Sequence, residues 1–504
     1  MHRNGLSARL SIRLGICSAA VLLLAANLGA AAASSKLVEA VKNADKASAR
    51  TLIAQNADVN AAELDGTTAL HWAVRRDDVE TARLLLGKGA NAKAANRYGI
   101  TPISVACENG NAAIIEALLK AGADANTVFG EGETALMTAA RTGKLDAVKV
   151  LLTHGANVNA KEPRQGQTAL MWAAAEGNAA VVAELVERGA DTHVRTDGFT
   201  PLLFAVREGR GDVVKTLLKT GGDANEKWLP NSRRTPGSGS AALTLAVANA
   251  HYELASILLD AGADPNAAEQ GWTALHELTW VHKPGTGTNQ PAPQGSGNMN
   301  VYEFLKKMKA KGANFNAKMT KSARFGPTDI HMAGATPFLM AARTADAPLM
   351  RALAEVGADP LMPNNDGSTP ILVAAGLGTH SPGEDAGTES EVLDAVKVAI
   401  ELGGDVNSVD KNGETVMHAV ALKQVPSVAK YLQEHGAKME VWNRKDSAGF
   451  TPLRIAEGVF YEDKVRQRVP AVAEYFIDIM TKAGVSTETE EQDLTVARKR
   501  REKL

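Results

Sequence analysis

The chain has 504 residues, 45% of them apolar but only 4% aromatic, with 55 basic and 57 acidic side chains. A core must therefore be assembled mainly from Ala, Leu and Val, and the near-cancelling charge argues against nucleic acid as a partner. A chain this long forms about three compact domains unless it is built from repeats, which grow by adding units instead of enlarging one core.

At the amino terminus, Arg3, Arg9 and Arg13 precede an apolar run over 14–28 and the small residues Ala30 to Ala33. This is the layout of a cleavable secretory signal peptide, assigned to residues 1–33. The apolar run is too short and too Ala-rich to span a membrane, and no later segment reaches the ~18 consecutive apolar residues that a span needs. No stable span is expected after cleavage. The Ala-rich signal points to a bacterial envelope, with the periplasm as the expected destination and the extracellular space second. Removing residues 1–33 takes the net charge from −2 to −5 and leaves Cys107 as the only cysteine, so no intramolecular disulfide is available. Cys107 falls at an inward helical position and reads as a small buried hydrophobe.

Residues 34–64, with ASARTLIAQNADVN, carry only the second half of a unit that becomes evident further on, and read as an amino-terminal cap. One phrase then returns: DGTTALHWA at 65, YGITPISVA at 98, GETALMTAA at 132, GQTALMWAA at 166 and GFTPLLFAV at 198, with six further copies beginning at 240, 271, 334, 367, 413 and 449. Ten of the eleven carry Thr before the first helix, where its hydroxyl accepts a backbone N–H; Ala241 is the exception. Pro follows at 102, 201, 337, 370 and 452, where a missing N–H costs nothing. Leu70, Ile103, Leu136, Leu170 and Leu202 share a helix face with Ala73, Ala106, Ala139, Ala173 and Ala205, small residues that let neighbouring units approach. A second apolar segment with helical spacing ends each unit at a Gly, as at Gly89, Gly122 and Gly155, and an Asp/Asn-rich turn leads to the next Thr.

This pattern closely resembles the ankyrin repeat, whose Thr-Pro-Leu-His-x-Ala signature and 33-residue unit are matched over roughly residues 34–484. The resemblance implies an all-α solenoid of helix-turn-helix units with short hairpin-like connections: eleven repeats over 65–484, then a charged tail over 485–504. His stands at its signature position only as His71, His276 and His418, where it orients the turn. Leu278 replaces the expected Ala, which predicts irregular packing around it.

Four insertions break the period, at 226–240, 283–299, 318–333 and 379–390. The resemblance places 226–240 and 318–333 at finger positions beside a concave groove, and the other two, lying between the helices of one unit, at the opposite end. Trp228, Arg233, Arg234, Arg324 and Phe325 in the finger insertions are candidate partner-binding residues, since aromatic and Arg side chains dominate interface energetics. The two fingers belong to connections two units apart and are expected to form one surface. Trp72 and Trp172, at the same place in their repeats, read as core or groove-lining packing.

No nucleophile elbow, phosphate-binding loop, paired carboxylates in a shaped context or His-Glu-x-x-His motif is present, so the expectation is no catalytic residue, no cofactor and no metal site, with His282, His331 and His380 weighed and set aside as ligands. The sequence thus indicates a monomeric, non-enzymatic scaffold or inhibitor that binds a protein partner. Two alternatives stand beside it: an enzyme accessory or hydrolase with a pocket built by the insertions, and a self-associating structural component of the envelope.

Overall fold

Helices of seven to nine residues are too short to persist alone in water, so every unit of this chain must be held by its neighbours. The computed structural model describes residues 36–230, 238–283, 292–321, 330–380, 382, 385–458, 460–461, 464–465 and 468–489. Residues 1–33, which the sequence reading assigns to a signal peptide, and most of the charged tail lie outside these.

Eleven first helices begin where the returning phrase places them, among them Ala69–Arg75, Pro102–Asn109, Ala135–Arg141, Ala169–Glu176 and Pro201–Arg207, then Ala274–His282, Pro337–Arg343 and Val416–Lys423. The residue before each, Thr in all but Ala241, has extended backbone, and at 68, 101, 134, 168, 200, 336 and 451 the Thr hydroxyl accepts from the N–H three residues on. Thr369 departs from this, with no cap bond, and its helix Pro370–Ala374 is only five residues long. Several second helices take Asp or Asn caps, as Val79–Gly87 does from Asp78 and Ala112–Lys120 from Asn111, whereas Asn178 makes no cap bond to Ala179–Glu187. Gly122, just past its helix, has φ +95°, a left-handed backbone that only glycine adopts without strain.

The core is a column of small and branched side chains: Leu70, Ala73, Ala106, Leu136, Ala139 and Ala173 are all essentially inaccessible. Cys107 is buried among them, and burial pushes its thiol up to about 12. Between repeats runs a ladder of carboxamides. Asn60 donates to Gly89 O and accepts from Asn91 N, Asn126 does the same with Gly155 and Asn157, and Asn159 with Gly189 and Asp191. Asn225, Asn266 and Asn407 continue the pattern further along the chain. Each amide thereby satisfies a carbonyl that its helix end leaves unpaired.

Two expectations need correction. The amino-terminal segment is not half a unit: a helix over 36–42 precedes Lys46–Ala54, so a complete helix pair stands ahead of the first full repeat. Leu278 causes no irregularity either, since it is fully buried within the regular helix Ala274–His282.

The connections are hairpin-like. Val128–Phe129 pairs with Glu133–Thr134, and single bridges join Ala62 to Thr68, Thr196 to Phe199 and Val409 to Thr415. The chain divides into two compact units, one ending at Gly222 and the other beginning at Asp223.

Candidate protein-interaction faces

In the amino-terminal unit, the first helices bury one side completely and leave another side open. Counting from the capping Thr, the fourth residue along is Trp72 in the first repeat, Trp172 in the fourth and Phe204 in the fifth. The seventh is Arg75 in the first repeat, Glu108 in the second, Arg141 in the third and Arg207 in the fifth. The helical period of 3.6 sets these two positions on one face. Both tryptophans are half-buried and all four charged residues are exposed.

Each arginine in the row lies against an aromatic ring. The Arg75 guanidinium carbon is 5.9 Å from the Trp72 ring centre, Arg141 is 5.6 Å from Trp172, and Arg207 is 5.0 Å from Phe199 and 5.1 Å from Phe204. At one end Trp72 is braced, its indole N–H donating to Glu63 at 2.8 Å while Lys42 pairs with the same carboxylate at 2.7 Å. Trp172 has no such brace, and its buried indole nitrogen has no hydrogen-bond partner. Arg207 pairs with Glu208 at 2.8 Å. Among the described residues, neither Arg75 nor Arg141 has a carboxylate within ion-pair distance. At the tips of three consecutive connections, Leu64, Tyr98 and Val128 are 108%, 62% and 60% exposed.

Sequence reasoning passed over the arginines, because a single exposed Arg carries no signal. What could have found them is their recurrence three residues after the aromatic register.

In the carboxy-terminal unit, the finger insertions rise from ordered bases. Lys227 bridges Ala241, Trp228 N–H donates to Ser240 O at 2.9 Å, and Trp228 itself is half-buried. Arg233 and Arg234 lie outside the described residues. The second insertion is held by Met319 N–H on Ala335 O at 2.9 Å, with Met319 and Met332 buried against Leu339, Met340 and Val373, and Trp272, Trp280 and Ile330 partly covering them. Its flanks are thus part of the core; Arg324 and Phe325 lie outside the described residues. The connection between the two touches both bases: Glu269 pairs with Lys227 at 2.5 Å, and Gly271 O accepts from Thr320 N–H at 2.9 Å. The finger bases therefore flank one shared connection.

Trp272 donates to Glu277 at 2.8 Å, and burial, only partly offset by that bond, raises the Glu277 carboxyl above its usual range. Arg343 lies 5.6 Å from the Trp280 ring centre, and burial lowers its guanidinium to about 10.

Lysines tie the edges of the two other insertions to neighbouring segments. Lys283 pairs with Glu391 at 2.9 Å and donates to Ala345 O at 3.0 Å, while Lys423 donates to the carbonyls of Asp385 and Ala386 at 3.1 and 2.9 Å. Burial lowers the Lys423 ammonium from its ordinary value. His282 meets Asp346 at 2.6 Å, and Asp346 also caps the helix Ala347–Val356 through Leu349 N–H, which is a structural employment for the pair. Neither His331 nor His380 joins them: His331 faces Asp366 at 3.9 Å, and His380 N–H donates to Asp385. Among the described residues no three His, Cys, Asp or Glu side chains lie close enough to hold a metal ion, and no helix is long and apolar enough to cross a membrane.

Ankyrin-repeat profiles match this chain: a three-copy profile over the overlapping stretches 37–129, 81–162, 106–196 and 162–228, and a single-repeat profile over 238–269. Among solved structures, the crystal structure of the human ASB11 ankyrin repeat domain is 27% identical, covering 45% of this chain and 98% of that one with a TM-score of 0.39. No curated protein matches the chain.

Proposed function

We propose that this ankyrin-repeat protein is a non-enzymatic scaffold or inhibitor that grips a protein partner with its open first-helix face and its finger connections. Ankyrin repeats are typically protein–protein interaction modules. The observation that carries the reading here is the placement of Arg75, Arg141 and the fingertips Leu64, Tyr98 and Val128 on open surface beside the half-buried Trp72 and Trp172, where none of them is required by the repeat pattern. Aromatic and Arg side chains supply most of the binding energy at interfaces, and an apolar tip left in water is unfavourable until something covers it.

The finger insertions of the carboxy-terminal unit add a second contact region, in which Trp228, Arg233, Arg234, Arg324 and Phe325 are the anchors. The shared connection between the insertion bases supports their acting on one partner. The segment 1–33 directs export, with the periplasm as the working compartment. The test is to express residues 34–504 with an affinity tag in a bacterial periplasm, cross-link, and identify what co-purifies. One stoichiometric protein, lost when the five finger residues are replaced by Ala, is the expected result; a clean monomer with no partner would sink the reading.

A further inference from the structure

We propose that the open first-helix face of the amino-terminal unit binds an extended acidic peptide segment, whose carboxylates engage Arg75 and Arg141 while its side chains lie against Trp72 and Trp172. This rests on the protein-binding reading and specifies the chemistry of the partner.

The two arginines occupy the same register two repeats apart, both exposed, and each stacks beside an indole. Stacking of this kind leaves the N–H edges of a guanidinium free for bidentate contact with a carboxylate. Neither has an acidic partner among the described residues. Other cations near the face are already engaged: Lys42 pairs with Glu63, Arg76 donates to the backbone carbonyl of Lys42, and Arg207 pairs with Glu208. The indole N–H of Trp172 is buried without an acceptor, so what the residue offers a ligand is the accessible part of its ring. Trp72, in the same register, already gives its N–H to Glu63.

Glu108 stands between Arg75 and Arg141, so the row reads cation, anion, cation. A uniform polyanion such as a phosphate backbone would meet repulsion at the middle position, which favours a peptide with acidic residues at the ends and a basic or neutral residue between. Packed helices lie ~10 Å apart, so two repeats separate the arginines by roughly 20 Å, which an extended chain rising ~3.3 Å per residue covers in about six residues. Leu64, Tyr98 and Val128 at the fingertips provide an apolar flank for residues alternating to the other side.

The experiment is selection of a random dodecapeptide phage library on the full chain and, in parallel, on R75E/R141E and the milder R75Q/R141Q. Both positions are exposed, and an unchanged circular dichroism spectrum checks folding. The expected result is enrichment of peptides with two acidic residues about six apart. A fluorescent copy of such a peptide should bind roughly 10-fold or more weakly to R75Q/R141Q, and R75E/R141E should select basic peptides instead. Enrichment without acidic bias, a bias that survives both variants, or tighter binding of a fluorescent single-stranded oligonucleotide than of the peptide would overturn the proposal. A protein partner captured by the wild type and equally by R75E/R141E would overturn it while leaving the protein-binding reading standing; no partner and no enriched peptide would remove both.

Discussion

His71, His276 and His418 each perform the same task. In His276 the Nδ1 atom accepts from Thr273 N–H at 3.2 Å, while Nε2 reaches Ala335 O in the next repeat at 3.1 Å and so must carry the proton. His71 and His418 repeat the arrangement on Ile100 and Phe450. A second proton would forfeit the bond that Nδ1 accepts from the Thr N–H, and burial lowers the imidazoles of His276 and His418 to about 4. The unfolded chain takes up these protons near pH 6.5 and the folded chain only near pH 4. The contribution of each ring is therefore complete above the upper value and is lost as pH falls through the window, by about 1.4 kcal/mol per pH unit for each histidine. Urea midpoints at pH 7, 6 and 5 should fall accordingly, and His276→Gln should shallow the slope while costing about 1–3 kcal/mol at pH 7; an unchanged slope would exclude this origin. These histidines were legible in the sequence because the phrase repeats. Arg75 and Arg141 were not, because their meaning lies in the ring each lies against, which for Arg141 belongs to the next repeat.

Among the elements, the helix pairs and their stops followed from the periodic Thr, Pro, Ala and Gly, whereas the helix over 36–42 escaped because no Thr phrase announces it. The insertions were visible as breaks in the period, but which of their residues turn inward was not. Met319 and Met332 are buried by contacts with Leu339, Met340 and Val373 of later repeats, a relation that no local pattern encodes. The 379–390 insertion illustrates the same limit, since its fixation depends on Lys423, more than thirty residues away. Replacing Lys423 by Met keeps the stem but leaves the carbonyls of Asp385 and Ala386 without their donor. The expected loss is about 1–3 kcal/mol in urea unfolding, with faster amide exchange over 385–388 than in the wild type; unchanged exchange there would mean that Lys283 and Glu391 hold the segment alone. The carboxamide ladder can be tested similarly. Asn159→Ala removes one bond to Gly189 O and one from Asp191 N–H, and should lower stability by about 1 kcal/mol in thermal or urea unfolding.

For the whole molecule, each repeat is stabilised by its neighbours, so loss of structure can begin in one unit without requiring the other to melt at once. Two features make this measurable. The amino-terminal unit contains Cys107, the sole thiol of residues 34–504, buried and with its ionisation pushed up to about 12, so that only about one part in 10⁵ is thiolate at pH 7. The carboxy-terminal unit contains His276 and His418, the two histidines held down to about 4, against His71 alone in the amino-terminal unit, where burial also lowers the imidazole. Lowering the pH from 7 to 5 should therefore weaken the carboxy-terminal unit more. With 4,4′-dithiodipyridine, which reads thiols in mild acid, no thiol should react in the native protein and one per chain after denaturation. At pH 5 in moderate urea, helical circular dichroism should fall first while Cys107 remains protected, and only higher urea should expose it. Labelling that coincides with the loss of helix at every urea concentration would mean that the chain unfolds as one cooperative body, and that acid sensitivity is shared along its length.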